Sequence, residues 1–202
     1  MGLQDSTITQ LLEALGEKTP IPGGGALAST TLALSASLAR MVLAYSIDKK
    51  SLSEFRAGNE DALQQLRACE QAALELADAD ATAYEHLNGL MKLPSDDQRR
   101  MAEWDQALEA AMKPPHETMD ACETMLTLLA SLVNTTNRLL ASDLAVAAVL
   151  AGAAARSAAW NLKANLSLVT DQKQAGHLRN EVEARTSSLE GLVRSIEDGC
   201  SG

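Results

Sequence analysis

The stretch Thr19-Pro20-Ile21-Pro22-Gly23-Gly24-Gly25 constrains this chain most. Two prolines stiffen the approach and remove amide donors, and three glycines then allow backbone angles closed to other residues. Small residues follow at once: Ala26, Ala28, Ser29, Ala33, Ser35, Ala36, Ser37 and Ala39, interleaved with Leu27, Leu32, Leu34 and Leu38. That run predicts a helix against which another element packs very closely. A glycine loop opening onto a helix N-terminus offers free N–H groups and partial positive charge to an anion. It serves equally well as a plain helix–loop–helix corner. Two familiar glycine signatures do not fit. A dinucleotide fingerprint needs a preceding strand, but Ile8, Leu11, Leu12 and Leu15 give residues 7–18 one apolar helical face. A P-loop needs Gly-Lys-Ser/Thr, and Gly25 is followed by Ala26.

Composition supports an all-helical fold. Phe55, Tyr45, Tyr84, Trp104 and Trp160 are the only aromatic residues, while hydrophobic residues make up 46% of the 202 residues. The core must be built from Leu and Ala, which favours closely packed helices over sheets. The length suits one domain spanning residues 1–202. A net charge of −10 without a basic tract makes nucleic acid an improbable partner. Cys69, Cys122 and Cys200 are odd in number and unpatterned, which fits the reducing cytoplasm. His86, His116 and His177 lack metal-ligand spacing, so no metal is expected. Met1–Thr19 does not read as a signal peptide. The apolar run from Leu139 to Ala155 contains Asp143 and is mostly alanine, so it reads as a core helix rather than a membrane span.

Periodicity predicts helices near residues 7–15, 24–46, 53–92, 95–113, 115–137, 142–159 and 172–197. Ser51 or Ser53, Ser95 and Ser142 are the expected N-caps, with Pro115 in a first turn. The long helix carries a stripe of Leu63, Leu66, Ala73, Ala77, Tyr84, Leu87 and Met91. The architecture expected is a single-domain up-and-down helical bundle. Ala-lined faces bury little area per residue, so at least one of the two small-residue helices is expected to pair across a homodimer.

Several polar residues could carry chemistry, and each has a plainer reading. Asp143 in Leu140-Ala141-Ser142-Asp143-Leu144 is either a first-turn charge or a carboxylate in a dry pocket. Asn161 and Asn165 share a helix face and could orient a polar ligand or lie on the surface. Asp80 and Tyr84 share a face in Asp78-Ala79-Asp80-Ala81-Thr82-Ala83-Tyr84, which is otherwise a solvated flank. Lys49 and Lys50 either meet the helix dipole or receive a ligand carboxylate.

Taken together, these motifs resemble the cyclodeaminase/cyclohydrolase family of folate enzymes. The resemblance rests on several segments in register: Pro20-Ile21-Pro22-Gly23-Gly24-Gly25, Met41-Val42 followed by Lys49-Lys50, Asp78 to Tyr84, Leu93-Pro94, Pro115, Asn137 with Ser142-Asp143, and Arg156 to Asn165. Ser95, Thr136 and His116 stand where the family more often has Lys, Gly and an apolar residue.

The resemblance implies an all-helical homodimer acting on a tetrahydrofolate one-carbon unit, with no metal or redox cofactor needed. A cyclohydrolase would add water to the methenyl carbon, and a cyclodeaminase would close a formimino group and expel ammonia. A third possibility is a non-catalytic folate-binding paralogue. The resemblance assigns Asp143 as the carboxylate beside the cation and Asp80 as a further acid/base. It gives orientation to Asn161 and Asn165, and substrate contacts to Gly23, Gly24, Gly25, Tyr84 and Ser142. Lys49 and Lys50 would hold the glutamate tail.

Overall fold

The computed structural model describes residues 2–201, and Met1 and Gly202 lie outside the described residues. Six α-helices account for most of it: α1 (Ile8–Gly16), α2 (Gly24–Ile47), α3 (Arg56–Met91), α4 (Gln98–Leu132), α5 (Ala141–Leu166) and α6 (Gln172–Cys200). No strand occurs among the described residues. Helix α2 packs on α3 and α5, α4 packs on α3 and α5, and α6 covers α5. This is the up-and-down bundle that the periodicity predicts.

The small residues explain why α2 and α5 form the central pair. Ala28, Ala33, Ala36 and Ala39 on α2 are buried together with Ala147, Ala148, Ala151, Ala154, Ala155 and Ala158 on α5. Side chains this short let two helix axes approach closely. Ser35 Oγ donates to the Ala147 carbonyl across the seam at 2.6 Å, so a buried hydroxyl finds a partner without widening it. The two helices run antiparallel, with Gly24 beside Asn161 at one end and Ser46 beside Asn137 at the other. Both α2 and the stretch Arg138–Leu166 are long and apolar enough to cross a membrane by length and composition. Here each gives one face to the bundle core.

Four local expectations are corrected. The three glycines do not supply unusual backbone angles, since no glycine has a positive φ among the described residues. Residues 98–132 form one continuous helix through Pro114 and Pro115 rather than two. Burial of both prolines holds the helix together across the missing donors, and those donors cost only the bonds to Ala110 and Ala111. Asp97, not Ser95, caps α4, accepting from Arg99 N at 2.9 Å and Arg100 N at 3.1 Å. Neither Ser51, Ser53 nor Ser142 caps a helix: a 3-10 turn over Lys50–Phe55 leads into α3, and α5 begins at Ala141 after a 3-10 turn over Arg138–Leu140.

Candidate active site

Helix α2 starts without a side-chain cap. Gly23 occupies the N-cap position with extended backbone, and its carbonyl receives Leu27 N at 3.0 Å. The first turn thus has no N-cap side chain, and its Ala26 amide donates to Asp80 instead. This turn opens on a cavity of about 260 Å³ lined by Pro20, Ile21, Gly23, Gly24, Gly25, Asp80, Tyr84, Ala111, Asn161, Ala164 and Asn165. Four elements meet here: the glycine loop and start of α2, the middle of α3, the proline region of α4, and the end of α5.

Gly25 is required by space. A Cβ there would lie 2.0 Å from Asp80 Oδ1 and 2.4 Å from Asp80 Oδ2. By contrast, a Cβ at Gly24 would meet Asn161 Oδ1 at 3.5 Å, and one at Gly23 would meet only the Pro20 carbonyl at 3.7 Å. Both are ordinary contacts, so Gly25 alone of the three makes room for the carboxylate.

Asp80 is half-buried, and that burial pushes its carboxyl up to about 6, although a hydrogen bond from the Ala26 amide opposes the rise. Desolvation disfavours the charged form while the helix N-terminus favours it. The result is a carboxyl poised to exchange a proton near neutrality. Asp78, two residues earlier, points elsewhere, because two residues turn a helix by about 200°. It accepts from Leu3 N at 2.6 Å and ties the N-terminal segment to α3.

The two asparagines are fixed by carbonyls. Asn161 Nδ2 donates to Ser157 O at 2.9 Å, and Asn165 Nδ2 donates to Ala111 O at 3.0 Å. Tyr84, one turn beyond Asp80 on α3, completes the wall. Behind the cavity, Ser29 and Thr118 hydroxyls meet at 2.8 Å, and Thr118 donates to Pro114 O at 2.9 Å. These bonds anchor the first turns of α2 to the proline region of α4.

The structure divides the expected site residues into two groups. Gly23, Gly24, Gly25, Asp80, Tyr84, Asn161 and Asn165 share the cavity. Lys49, Lys50, Ser142 and Asp143 do not reach it within one chain. They lie at the opposite end of the α2–α5 pair, about 36 Å away for a helix of 24 residues. There Lys49 Nζ donates to Asn137 Oδ1 at 2.6 Å, and Asn137 N donates to the buried Ser46 Oγ at 2.9 Å. Asp143 sits in the first turn of α5, where its charge suits the helix dipole.

Sequence reasoning missed Ala111, whose carbonyl holds Asn165. The signal is Pro115, four residues on, whose propensity alone points to a helix start. The cysteines offer no thiolate, since burial pushes Cys69 up to about 11 and raises Cys122 further. Among the described residues no three His, Cys, Asp or Glu side chains come together as a metal-ligand group. A wider cleft of about 600 Å³ between α4 and the α5–α6 turn contains none of the motif residues.

The family model described as formiminotransferase-cyclodeaminase matches residues 7–184. The chain belongs to that family. Within it, the chain is 29% identical to a methenyltetrahydrofolate cyclohydrolase of Methylorubrum extorquens, over 94% of this chain and 89% of that protein. It is 28% identical to the formimidoyltransferase-cyclodeaminase of Gallus gallus over 100% of this chain but only 36% of that protein. The chain thus spans about a third of the longer family member. The formiminotetrahydrofolate cyclodeaminase structure from Thermotoga maritima shares the fold, with a TM-score of 0.87, 24% identity and 98% of each chain covered.

Proposed function

We propose that this protein is a methenyltetrahydrofolate cyclohydrolase, converting the 5,10-methenyl form to 10-formyltetrahydrofolate without a metal or redox cofactor. The observation that carries the reading is Asp80: a half-buried carboxyl raised to about 6, which accepts from the Ala26 amide in the first turn of α2 and shares its cavity with two fixed carboxamides. A relative named for this activity, the methenyltetrahydrofolate cyclohydrolase of Methylorubrum extorquens, is matched over 94% of this chain and 89% of its own length.

The substrate is a cation whose methenyl carbon bridges N5 and N10. Asp80 in its charged form stabilises that cation and accepts a proton from water as oxygen bonds to the carbon. A tetrahedral carbon results. Asp80 returns the proton to N5, the C–N5 bond breaks, and the remaining hydroxyl loses its proton as the N10 formyl group forms. The balance is cation plus water giving neutral formyl product and one proton. The cyclodeaminase reaction passes through a similar tetrahedral carbon and is the second reading, supported by the Gallus gallus relative.

A homodimer fits the outer faces of α2 and α5. Leu27, Leu34 and Met41 repeat every seven residues on α2 and are exposed, as are Val146, Val149 and Trp160 on α5. Residues of this kind seldom line a bare surface. Antiparallel pairing of two α2 helices about a two-fold axis would set the Lys49 and Asp143 end of one subunit beside the other's cavity. Asp143, Ser142, Lys49 and Lys50 would then join the same substrate, the lysines at its glutamate tail. We place the enzyme in the cytoplasm, where reduced folate and free thiols coexist.

The test is loss of methenyltetrahydrofolate absorbance against a buffer blank. Acceleration that disappears in Asp80→Asn supports the reading. Absence of acceleration with ammonia release from 5-formiminotetrahydrofolate makes the protein a cyclodeaminase. Binding of folate without either turnover makes it a non-catalytic binder.

A further inference from the structure

Pro115 lies in the middle of α4, where an ordinary residue would donate its amide to the carbonyl four positions back. That carbonyl belongs to Ala111. Proline has no N–H, so the Ala111 oxygen is left free inside the bundle. Buried carbonyls find partners, and this one accepts Asn165 Nδ2 at 3.0 Å.

The consequence falls on the other half of the amide. A carbonyl can only accept, so it must face the nitrogen of Asn165 and turn Oδ1 away. Asn165 lines the cavity, and its Oδ1 has no hydrogen-bond partner among the described residues. Asn161 is set the same way, with Nδ2 on the Ser157 carbonyl and Oδ1 near Gly24. Two carboxamides on successive turns of α5 thus present oxygens and withhold one nitrogen donor each.

We infer that Pro115 is a positioning residue, which through the Ala111 carbonyl locks Asn165 so that the cavity accepts the N–H-rich edge of a planar heterocycle. This rests on the folate reading above and names which part of the substrate the cavity takes. A cavity of about 260 Å³ is below the usual range of about 300–1,000 Å³ for whole ligands. It suits one ring system and not the whole substrate. On a pterin, the edge with adjacent donors is the 2-amino group and N3–H. Holding that edge at the asparagines leaves the bridged N5–N10 side for Asp80.

The test uses two soluble probes, folic acid and its 2-deamino-2-oxo analogue, in which a donor at position 2 becomes an acceptor. Equilibrium dialysis against the full-length protein is expected to show at least tenfold tighter binding of folic acid, because oxygen facing oxygen leaves both unpaired. Pro115→Ala restores an amide that competes for the Ala111 carbonyl, and Asn165→Leu removes the acceptor. Both are expected to bring the preference below threefold and to raise KM for methenyltetrahydrofolate more than they lower kcat. Pro114→Ala returns an amide to Ala110 instead and is expected to keep the preference. Thermal melts report whether each variant folds, which the ratio of two affinities does not depend on.

Equal binding of the two probes by wild type, or no binding of either, overturns the inference. So does loss of the preference in Pro114→Ala to the same degree as in Pro115→Ala, since that makes the effect one of helix shape. Turnover of methenyltetrahydrofolate without the preference leaves the enzyme reading standing and removes only this one. The preference without turnover does the reverse.

Discussion

The two ends of the α2–α5 pair are made from the same helices and differ in almost every other respect. At the glycine end, Asp80, Asn161 and Asn165 converge on one cavity and are held by backbone amides and carbonyls. At the opposite end, Lys49, Lys50 and Asp143 lie near the surface, and Lys49 is held by one side-chain bond to Asn137. A carboxylate at each end invites the same chemistry on sequence alone. At the glycine end, burial raises the proton affinity of Asp80. Ionisation follows from the packing around a group more than from the motif that contains it.

The largest effect that separates the ends is expected from Asp80→Asn. Loss of a general acid/base lowers kcat by about a hundredfold or more, read as methenyltetrahydrofolate turnover above the blank. In wild type, kcat/KM is expected to fall below about pH 6 as Asp80 takes up its proton, and any residual Asp80→Asn activity is expected to lack that acid limb. An unchanged rate in the variant would move the chemistry to the other end.

Gly25→Ala is expected to come next. Its new methyl group occupies the place of Asp80 Oδ1, and overpacking of this kind costs about 1–3 kcal/mol in stability. Turnover is expected to fall about tenfold or more as the carboxylate is displaced. Gly23→Ala meets ordinary contacts and is expected to keep its melting temperature within a few degrees. Equal losses in both would return the glycines to a purely conformational role.

Mixing tests whether the ends cooperate. Asp80→Asn and Asp143→Asn subunits, each inactive alone, are expected to recover about a quarter of wild-type activity when refolded together in equal amounts. Half of the dimers are then mixed, and each mixed dimer has one intact site of two. No recovery would confine the site to one subunit or dismiss Asp143 from it.

The smallest expected effect is on stability. The folded carboxyl of Asp80 titrates near 6, above its ordinary value of 3.8, so the folded state binds the proton more tightly than the unfolded chain. Its contribution is therefore favourable at low pH, declines as pH rises from about 3.8 to 6, and is flat above. Asp80→Asn is expected to melt higher than wild type at pH 8, with the gap closing toward pH 4. A variant that melts lower at pH 8 would show that the Ala26 amide bond outweighs desolvation.

Much of the fold was legible because its signals are local. Leu66, Ala73, Ala77 and Leu87 fall on one face of α3 by simple periodicity, and all are buried. The small residues of α2 announce a close neighbour, which turns out to be α5. The proline pair misled because propensity treats proline as a terminator, whereas packing on both sides of Pro114 and Pro115 carries α4 through. The serine caps misled because hydroxyls favour helix starts only on average, and Asp97 lay two residues further on.

By itself the sequence determined the helical class, the two helices rich in small residues and the motifs that mark a folate family, since periodicity, side-chain size and spacing are properties of neighbours along the chain. The tertiary structure decided which carboxylate is desolvated, why Gly25 must lack a side chain, and which way the Asn165 amide faces. Each of those depends on an atom from a distant segment: Asp80 meets Gly25 from 55 positions away by number, and Asn165 meets Ala111 across 54. Ionisation, steric room and amide orientation are set by such long-range neighbours, so they exist only once the bundle has closed.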